Sequence, residues 1–319
     1  MAQDTLRFFF ATDIHGSTRC FRKFLNAGTF YDAQVLIMGG DMCGKALVPV
    51  VKRGAGKYEM SLSGATTRVE EDSLKGLCES LIDQGYYPYV TTVEELAWLQ
   101  EDKVAASELF SRLMVERVAE WVSLAERRLK GSGIRCYLSP GNDDEFAVDQ
   151  VLNAASEPVW NPEGQVVDLG LGWTMLSVGF SNRTPWATPR EVDDPELGRM
   201  IDELAVTLDD PQYCIFNTHL PPANTAIDQA PKLDSDLKPV VKGGQMLWIS
   251  AGSAAVREAL LKYGPKLSLH GHIHEARGAI RVGKTLCINP GSEYGESVVR
   301  GALVQLNRKG VRSHLLTAG

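Results

Sequence analysis

The chain of 319 residues is long enough for one large α/β domain with an insertion, or for about two domains of ordinary size. Apolar residues make up 44% and charged residues 23%, which excludes a mainly disordered or fibrous chain. The net charge of −7 gives no general attraction to a nucleic-acid backbone or an anionic membrane. No membrane-length apolar run, signal-peptide pattern or C-x-x-C pair is present, so we expect a cytoplasmic protein with reduced cysteines.

Short β-rich apolar runs, each followed by a polar turn, predict buried strands along most of the chain. These runs cover 6–11, 35–38, 134–138, 173–178, 213–216, 266–269 and 285–288. Helical patterns at 17–26, 195–208 and 253–262 lie between several of them, so strand and helix alternate. The late segments 301–306 and 310–316 predict antiparallel hairpins. In layered α/β folds of this kind, ligands bind beyond the carboxyl ends of strands.

The stretch 44–133 interrupts the alternation of strand and helix. Two apolar runs around the turn Arg53–Gly56 predict a β-hairpin, and an amphipathic helix pattern follows them. Thr92 and Glu95 form a capping box that opens a further helical region. We therefore predict one domain over 1–319, interrupted by 44–133 as an inserted hairpin-plus-helical cap.

Five clusters of candidate metal ligands follow the predicted strands. They are Asp13 with His15; Asp41; Asn142 with Asp143 and Asp144; His219; and His270 with His272 and His274. Carboxylates and imidazoles at these spacings can converge on a cation, although the Asp41 and Asn142 clusters in isolation also fit ordinary turns. The G-H-x-H pattern would arise by chance about 0.01 times in such a chain. Its alternating histidines suit two neighbouring metals better than one.

In this order the five clusters resemble the calcineurin-like metallophosphoesterase family, whose pattern is D-x-H, G-D, G-N-H-D/E, H and G-H-x-H on successive strand ends. The resemblance implies an α/β fold with four layers, α/β/β/α, in which two mixed β-sheets are flanked by helices. It also implies two divalent transition-metal ions (Mn, Fe or Zn), the first held by Asp13, His15, Asp41 and His274, and the second by Asp41, Asn142, His219 and His272. The turn 289–292, Asn-Pro-Gly-Ser, is similar to one in the smaller bacterial and archaeal phosphodiesterase-like members.

The expected function is therefore that of a metallophosphoesterase (EC 3.1.-.-). In such a hydrolase, a metal-bridging hydroxide makes an in-line attack on the phosphorus of a small phosphorylated substrate. The family usually has a histidine after the asparagine ligand, and this chain has Asp143 there. A carboxylate would repel a dianionic monoester, so a phosphodiesterase is favoured. The alternatives are a protein or nucleotide monophosphatase and a non-catalytic scaffold of the same fold. The acidic balance argues against a DNA exonuclease.

Four further residues are weaker candidates for the site. Asp143 and His270 could act as the catalytic acid, although the position of His270 favours a strand-end residue that hydrogen-bonds a ligand. Asn182 and Arg183 could bind substrate phosphate, although their proline-stiffened loop equally fits a solvated surface loop. The natural substrate and the oligomeric state stay open.

Overall fold

Two six-stranded sheets form the centre of the protein, described here from a computed structural model that covers residues 4–319. The strands are β1 (Thr5–Ala11), β2 (Val35–Gly39), β3 (Leu47–Gly54), β4 (Lys57–Leu62), β5 (Ala65–Glu70), β6 (Tyr87–Thr91), β7 (Arg135–Ser139), β8 (Val159–Trp160), β9 (Val166–Gly170), β10 (Trp173–Val178), β11 (Cys214–Thr218), β12 (Gln229–Pro231), β13 (Val241–Lys242), β14 (Gln245–Met246), β15 (Trp248–Ser250), β16 (Leu267–Leu269), β17 (Gly278–Val282), β18 (Thr285–Asn289), β19 (Arg300–Asn307) and β20 (Gly310–Ala318). The α-helices are α1 (Thr18–Phe30), α2 (Glu71–Asp83), α3 (Val93–Glu101), α4 (Lys103–Leu129), α5 (Val148–Asn153), α6 (Asp194–Ala205) and α7 (Ala254–Tyr263), and two 3-10 turns cover Pro211–Tyr213 and Tyr294–Glu296.

Both central sheets are mixed. The first has the order β20-β19-β1-β2-β7-β8, in which β1, β2, β7 and β8 run parallel and β19 and β20 are antiparallel additions. The second has the order β17-β18-β16-β11-β10-β9, with β10, β11, β16 and β18 parallel and an antiparallel strand at each edge. The carboxyl ends of the parallel strands of each sheet therefore meet at one edge of that sheet.

Alternation along the strands determines which residues face the other sheet and which face the helices. In β1, Phe8 and Phe10 pack between the two sheets, whereas Phe9 faces the outer helices. Each such buried phenylalanine contributes about 2 to 3 kcal/mol through its area removed from water. Helices α1, α4 and α5 cover the outer face of the first sheet, and α6 and α7 cover that of the second. The predicted four-layer α/β/β/α sandwich is confirmed.

The stretch 44–133 contains a sheet of its own with the order β5-β4-β3-β6, together with α2, α3 and α4. The predicted hairpin is formed by β3 and β4, and the Thr92 hydroxyl caps α3 by accepting a hydrogen bond from the Glu95 amide at 3.2 Å. The later part of α4 packs into the main core, where Trp121 stacks on Phe21 with ring centroids 4.6 Å apart. The stretch 44–133 thus shares a helix layer with the sandwich.

The long predicted strands are all present, and the strands that were not predicted are mostly short or lie at sheet edges. Strands β8 and β12 to β15 have two or three residues each, too few for a hydrophobic period to be recognised. Strand β6 contains Pro88 and lies at the edge of its sheet, which is the place where a strand tolerates proline. Within residues 4–319, every helix is too short or too polar to cross a membrane.

Candidate metal centre

The seven predicted metal ligands come together where the two sheets end. Asp13 and His15 follow β1, Asp41 follows β2, and Asn142 follows β7 in the first sheet. His219 follows β11, and His272 and His274 follow β16 in the second sheet. Each side chain is thus placed in a turn just beyond the carboxyl end of a parallel strand, which is where such folds collect ligands.

The first group of donor atoms belongs to Asp13, His15 and His274, whose ligand atoms all lie within 4.8 Å of one another. His15 Nε2 is 2.9 Å from His274 Nε2, and His274 Nε2 is 3.5 Å from Asp13 Oδ1. Burial holds the pKa of His15 well below its usual value, so this ring is neutral and carries a lone pair. Two imidazole nitrogens and a carboxylate oxygen that face one another form a donor set for a transition metal.

The second group consists of Asp41, His219 and His272, whose donor atoms also lie within 4.8 Å of one another. His219 Nε2 is 3.4 Å from Asp41 Oδ2, and His272 Nδ1 is 2.6 Å from Asn142 Oδ1. Asp41 Oδ2 also lies 3.8 Å from His15 Nε2 in the first group. The carboxylate of Asp41 therefore lies between the two groups, as the resemblance implies for a shared ligand.

The environment of these side chains fits a bound cation. Asp13 and Asp41 are 1% and 2% exposed, and buried carboxylates require a nearby positive charge. Although burial lowers the pKa of His219, the charge of Asp41, whose Oδ2 lies 3.4 Å from His219 Nε2, raises it to about 10. His219 Nδ1 donates to the Gly39 carbonyl oxygen at 2.9 Å, and its Nε2 has no hydrogen-bond partner within residues 4–319. A divalent cation bound to the carboxylates would displace the proton of His219 Nε2 and take this nitrogen as a ligand.

Four residues of the ligand turns have positive φ, a backbone conformation that residues other than glycine rarely adopt. Asp13, His15, Asp41 and His272 have φ of 54°, 37°, 49° and 64°. Each such residue costs about 1 to 3 kcal/mol of folding free energy, and the conformation persists only where the surrounding structure fixes the turn. Gly141 allows the close approach, because a Cβ there would lie 2.3 Å from the Asp41 amide nitrogen. The fold therefore holds the ligands in place with strained turns.

Buried hydrogen bonds tie the ligand turns to one another. The Asp144 carboxylate accepts from the amides of Met42, Cys43 and Gly141 at 3.0, 2.7 and 2.7 Å, and so joins the turn after β2 to the turn after β7. The Asn-Pro-Gly-Ser turn after β18 joins the second sheet to the first, because the Ser292 hydroxyl donates to the Asp13 carbonyl oxygen at 2.6 Å. Asp144 therefore serves as an internal support of the ligand turns.

Asp143 lies at the margin of the ligand cluster and is paired with a lysine. Its Oδ2 is 3.6 Å from His15 Nδ1 and 2.9 Å from Lys45 Nζ. Burial and the charge of Asp41 raise the pKa of Asp143 to about 6, although Lys45 acts in the opposite direction. The negative charge that the sequence suggests at this position is thus balanced locally by an ammonium group.

The other candidates make contacts of a different kind. His270 is buried, and its Nδ1 lies 2.9 Å from the Thr218 carbonyl oxygen and 3.2 Å from that of Leu220. Burial lowers its pKa to about 4. Asn182 donates to the Gly252 carbonyl oxygen at 3.3 Å, and Arg183 pairs with an exposed aspartate, Asp193, at 3.1 Å. Among residues 4–319, these contacts do not join His270, Asn182 or Arg183 to the seven ligands, so their assigned roles stay predictions.

Sequence reasoning missed several residues that contact the cluster. The Asn142 amide donates to the Thr188 hydroxyl at 2.9 Å, and Thr188 in turn donates to Glu191 at 2.8 Å. The Tyr294 ring lies 4.7 Å from the His15 ring, measured between centroids. Thr188 belongs to the same loop as Asn182 and Arg183, so the loop was a signal even though the residue was not singled out. Lys45 and Tyr294 carry no motif.

Comparisons with known proteins agree with the fold. No protein-family model matches the chain. The uncharacterized protein MJ1162 of Methanocaldococcus jannaschii is 26% identical over 153 residues, which are 47% of this chain and 61% of that protein. The match thus spans about three fifths of the length of this curated relative.

Two solved structures align with nearly the whole chain. One crystal structure covers 99% of this chain and 98% of its own, with 13% identity and a TM-score of 0.57. The structure of TT1561 of Thermus thermophilus covers 99% and 98%, with 11% identity and a TM-score of 0.52. At these identities the likeness concerns the fold alone. The arrangement of sheets and helices is therefore shared with both structures.

Proposed function

We propose that the protein is a metal-dependent phosphoesterase that binds two divalent transition-metal ions, with Mn as the first candidate. The observation that carries the proposal is the largely buried cluster of seven donors in two groups with Asp41 between them. Asp13, His15, Asp41 and His274 would hold one ion, and Asp41, Asn142, His219 and His272 the other. Two such ions, when bound, neutralise the charge of a phosphate ester and supply a nucleophile at neutral pH.

The residues of this chain contribute positioning and charge. The Gly39 carbonyl fixes the ring of His219 through its Nδ1, and the Asp13 carboxylate accepts from the His272 amide at 3.0 Å. Such supporting contacts orient the ligand atoms and commonly change metal affinity or activity about 10 to 100-fold. The substrate phosphate would approach over the half-exposed margin formed by Asp143, Lys45 and Tyr294.

Within this function we propose a preference for phosphodiesters. A diester has one negative charge at its phosphate and a monoester has up to two, so a carboxylate at position 143 opposes a monoester more strongly. A monophosphatase is the alternative, because Lys45 offsets part of that charge.

Reconstitution with Mn²⁺ tests the proposal. Elemental analysis should find about two ions per chain, and the loaded protein should hydrolyse bis(4-nitrophenyl) phosphate faster than 4-nitrophenyl phosphate. Asp41→Asn should reduce kcat/KM more than about a hundredfold, equivalent to about 2.7 kcal/mol, with the fold retained. Asp32→Asn, the same change at a side chain 89% exposed, is the matched control. A protein that binds no metal and gains no activity would support the scaffold alternative instead.

A further inference from the structure

Lys45 is a cation beside the ligand cluster to which the motif resemblance assigns no role. It follows Asp41 by four residues, in the connection that leads from the turn after β2 into β3. The neighbouring Gly44 is held tightly there, because its amide donates to the Tyr87 hydroxyl at 3.1 Å and a Cβ would lie 2.0 Å from the Gly85 carbonyl oxygen. The backbone that carries Lys45 is therefore anchored to both the sandwich and the insertion.

The ammonium group of Lys45 is fixed at the mouth of the site and still has donors to offer. Its Nζ lies 2.9 Å from Asp143 Oδ2, and Asp143 Oδ2 is 3.6 Å from His15 Nδ1, so one carboxylate separates Lys45 from a metal ligand. The lysine side chain is 52% exposed, and Asp143 is its one ion-pair partner within residues 4–319. A lysine ammonium has three N–H donors, so at least one remains available to a ligand beside the cluster.

We propose that Lys45 is a substrate-binding residue that donates a hydrogen bond to a non-bridging phosphate oxygen, and that Asp143 is the positioning residue that holds the ammonium over the metal centre. This inference rests on the proposed function. The pair presents one positive and one negative charge at the mouth of the site, so its net charge is zero. A phosphodiester monoanion is the class of substrate that gains from the ammonium with the least repulsion from the carboxylate.

An effect of Lys45 on phosphate binding has two possible origins, direct contact or neutralisation of Asp143. They separate in a double-mutant cycle. If Lys45 touches the phosphate, Lys45→Met weakens binding whether residue 143 is aspartate or asparagine. If Lys45 only balances Asp143, the same change has no effect in the Asp143→Asn background.

The experiment is calorimetric titration of the Mn²⁺-loaded protein with inorganic phosphate, with metal content measured for every variant. We expect Lys45→Met to weaken phosphate binding about tenfold when residue 143 is aspartate, which corresponds to about 1.4 kcal/mol. The loss should be smaller, about threefold, when residue 143 is asparagine, because the ammonium is then no longer held in position. Lys45→Arg should stay within about threefold of the wild type, because the charge is kept. Lys262→Met removes a lysine whose Nζ lies 2.9 Å from Asp202 Oδ2 on the far helices, and should leave binding unchanged.

The outcomes distinguish the two levels of the proposal. If the wild type binds phosphate and Lys45→Met binds it with the same affinity, the role of Lys45 is refuted and the proposed phosphoesterase function is unaffected. Loss of the effect in the Asp143→Asn background would also refute direct contact. Metal-loaded wild-type protein that neither binds phosphate nor hydrolyses an ester would overturn the proposed function and the Lys45 assignment together.

Discussion

Removal of the Asp144 carboxylate should destabilise the fold far more than removal of its neighbour Asp143. Asp144 is fully buried and accepts three backbone N–H groups at 2.7 to 3.0 Å. A hydrogen bond to a charged acceptor contributes about 1.5 to 3 kcal/mol, and the three are not additive because they share one carboxylate. We expect Asp144→Ala to cost about 4 kcal/mol, in the range of about 3 to 5 kcal/mol for breaking a buried charged network.

Two companion variants make the reasoning specific. Asp144→Asn keeps the shape but offers one acceptor oxygen and places an amide donor near a backbone N–H, so a cost of about 2 kcal/mol is expected. Asp143→Ala removes an ion pair with the half-exposed Lys45, and such pairs contribute at most about 1 kcal/mol. The two alanine variants therefore differ by one position in the chain and by about 3 kcal/mol or more in expected effect.

Urea unfolding of the metal-free protein at pH 7, followed by tryptophan fluorescence and circular dichroism, measures the difference. Chelator in all samples keeps the metal from adding its own stabilisation. If Asp144→Ala falls within about 1 kcal/mol of Asp143→Ala, the three hydrogen bonds do not hold the ligand turns together. The account of Asp144 as their internal support would then be wrong.

Two further predictions concern charge. Asp143→His should raise the ratio of monoester to diester hydrolysis rates about tenfold, because an imidazole can donate a hydrogen bond to the leaving oxygen without repelling a dianion. An unchanged ratio with both metals bound would show that Asp143 does not determine the substrate preference. Burial raises the pKa of Glu163 to about 7, so the folded state binds the extra proton and stability falls as pH rises from about 4.5 to 7. Glu163→Gln should therefore be more stable than the wild type at pH 8, by about 1 to 2 kcal/mol given the partial exposure of the side chain, and equal below pH 4. Urea titrations at both pH values test this, and a difference that does not vary with pH would contradict it.

The convergence of the candidate ligands was predictable from the sequence because each belongs to a short local pattern at the end of an apolar run. Asp13 with His15 and His272 with His274 are separated by one residue, so their chemistry is visible without tertiary structure. The alternation of strand and helix predicted a layered α/β fold, and the four-layer order was implied by the resemblance to the calcineurin-like metallophosphoesterases.

The contacts around the ligands could not be predicted, because they join residues that are far apart in the sequence. The contact between Lys45 and Asp143 joins residues that are far apart in sequence, and neither position indicates the other. The same holds for Asn142 and Thr188, which are 46 residues apart. Strand β6 was not predicted because it contains a proline. The strands of two or three residues between β11 and α7 are too short to show an alternation of apolar and polar residues.

The distribution of ligands over two sheets gives the metal centre a second consequence. His15 belongs to the first sheet and His274 to the second, and they are 259 residues apart in the chain. A cation bound by both histidines would cross-link the chain and close a very long loop, as a disulfide does. For loops beyond about 100 residues, the entropy removed from the unfolded chain corresponds to more than about 4 kcal/mol. The end of the sandwich that carries the chemistry would then also be the end at which the metal keeps its two halves from separating.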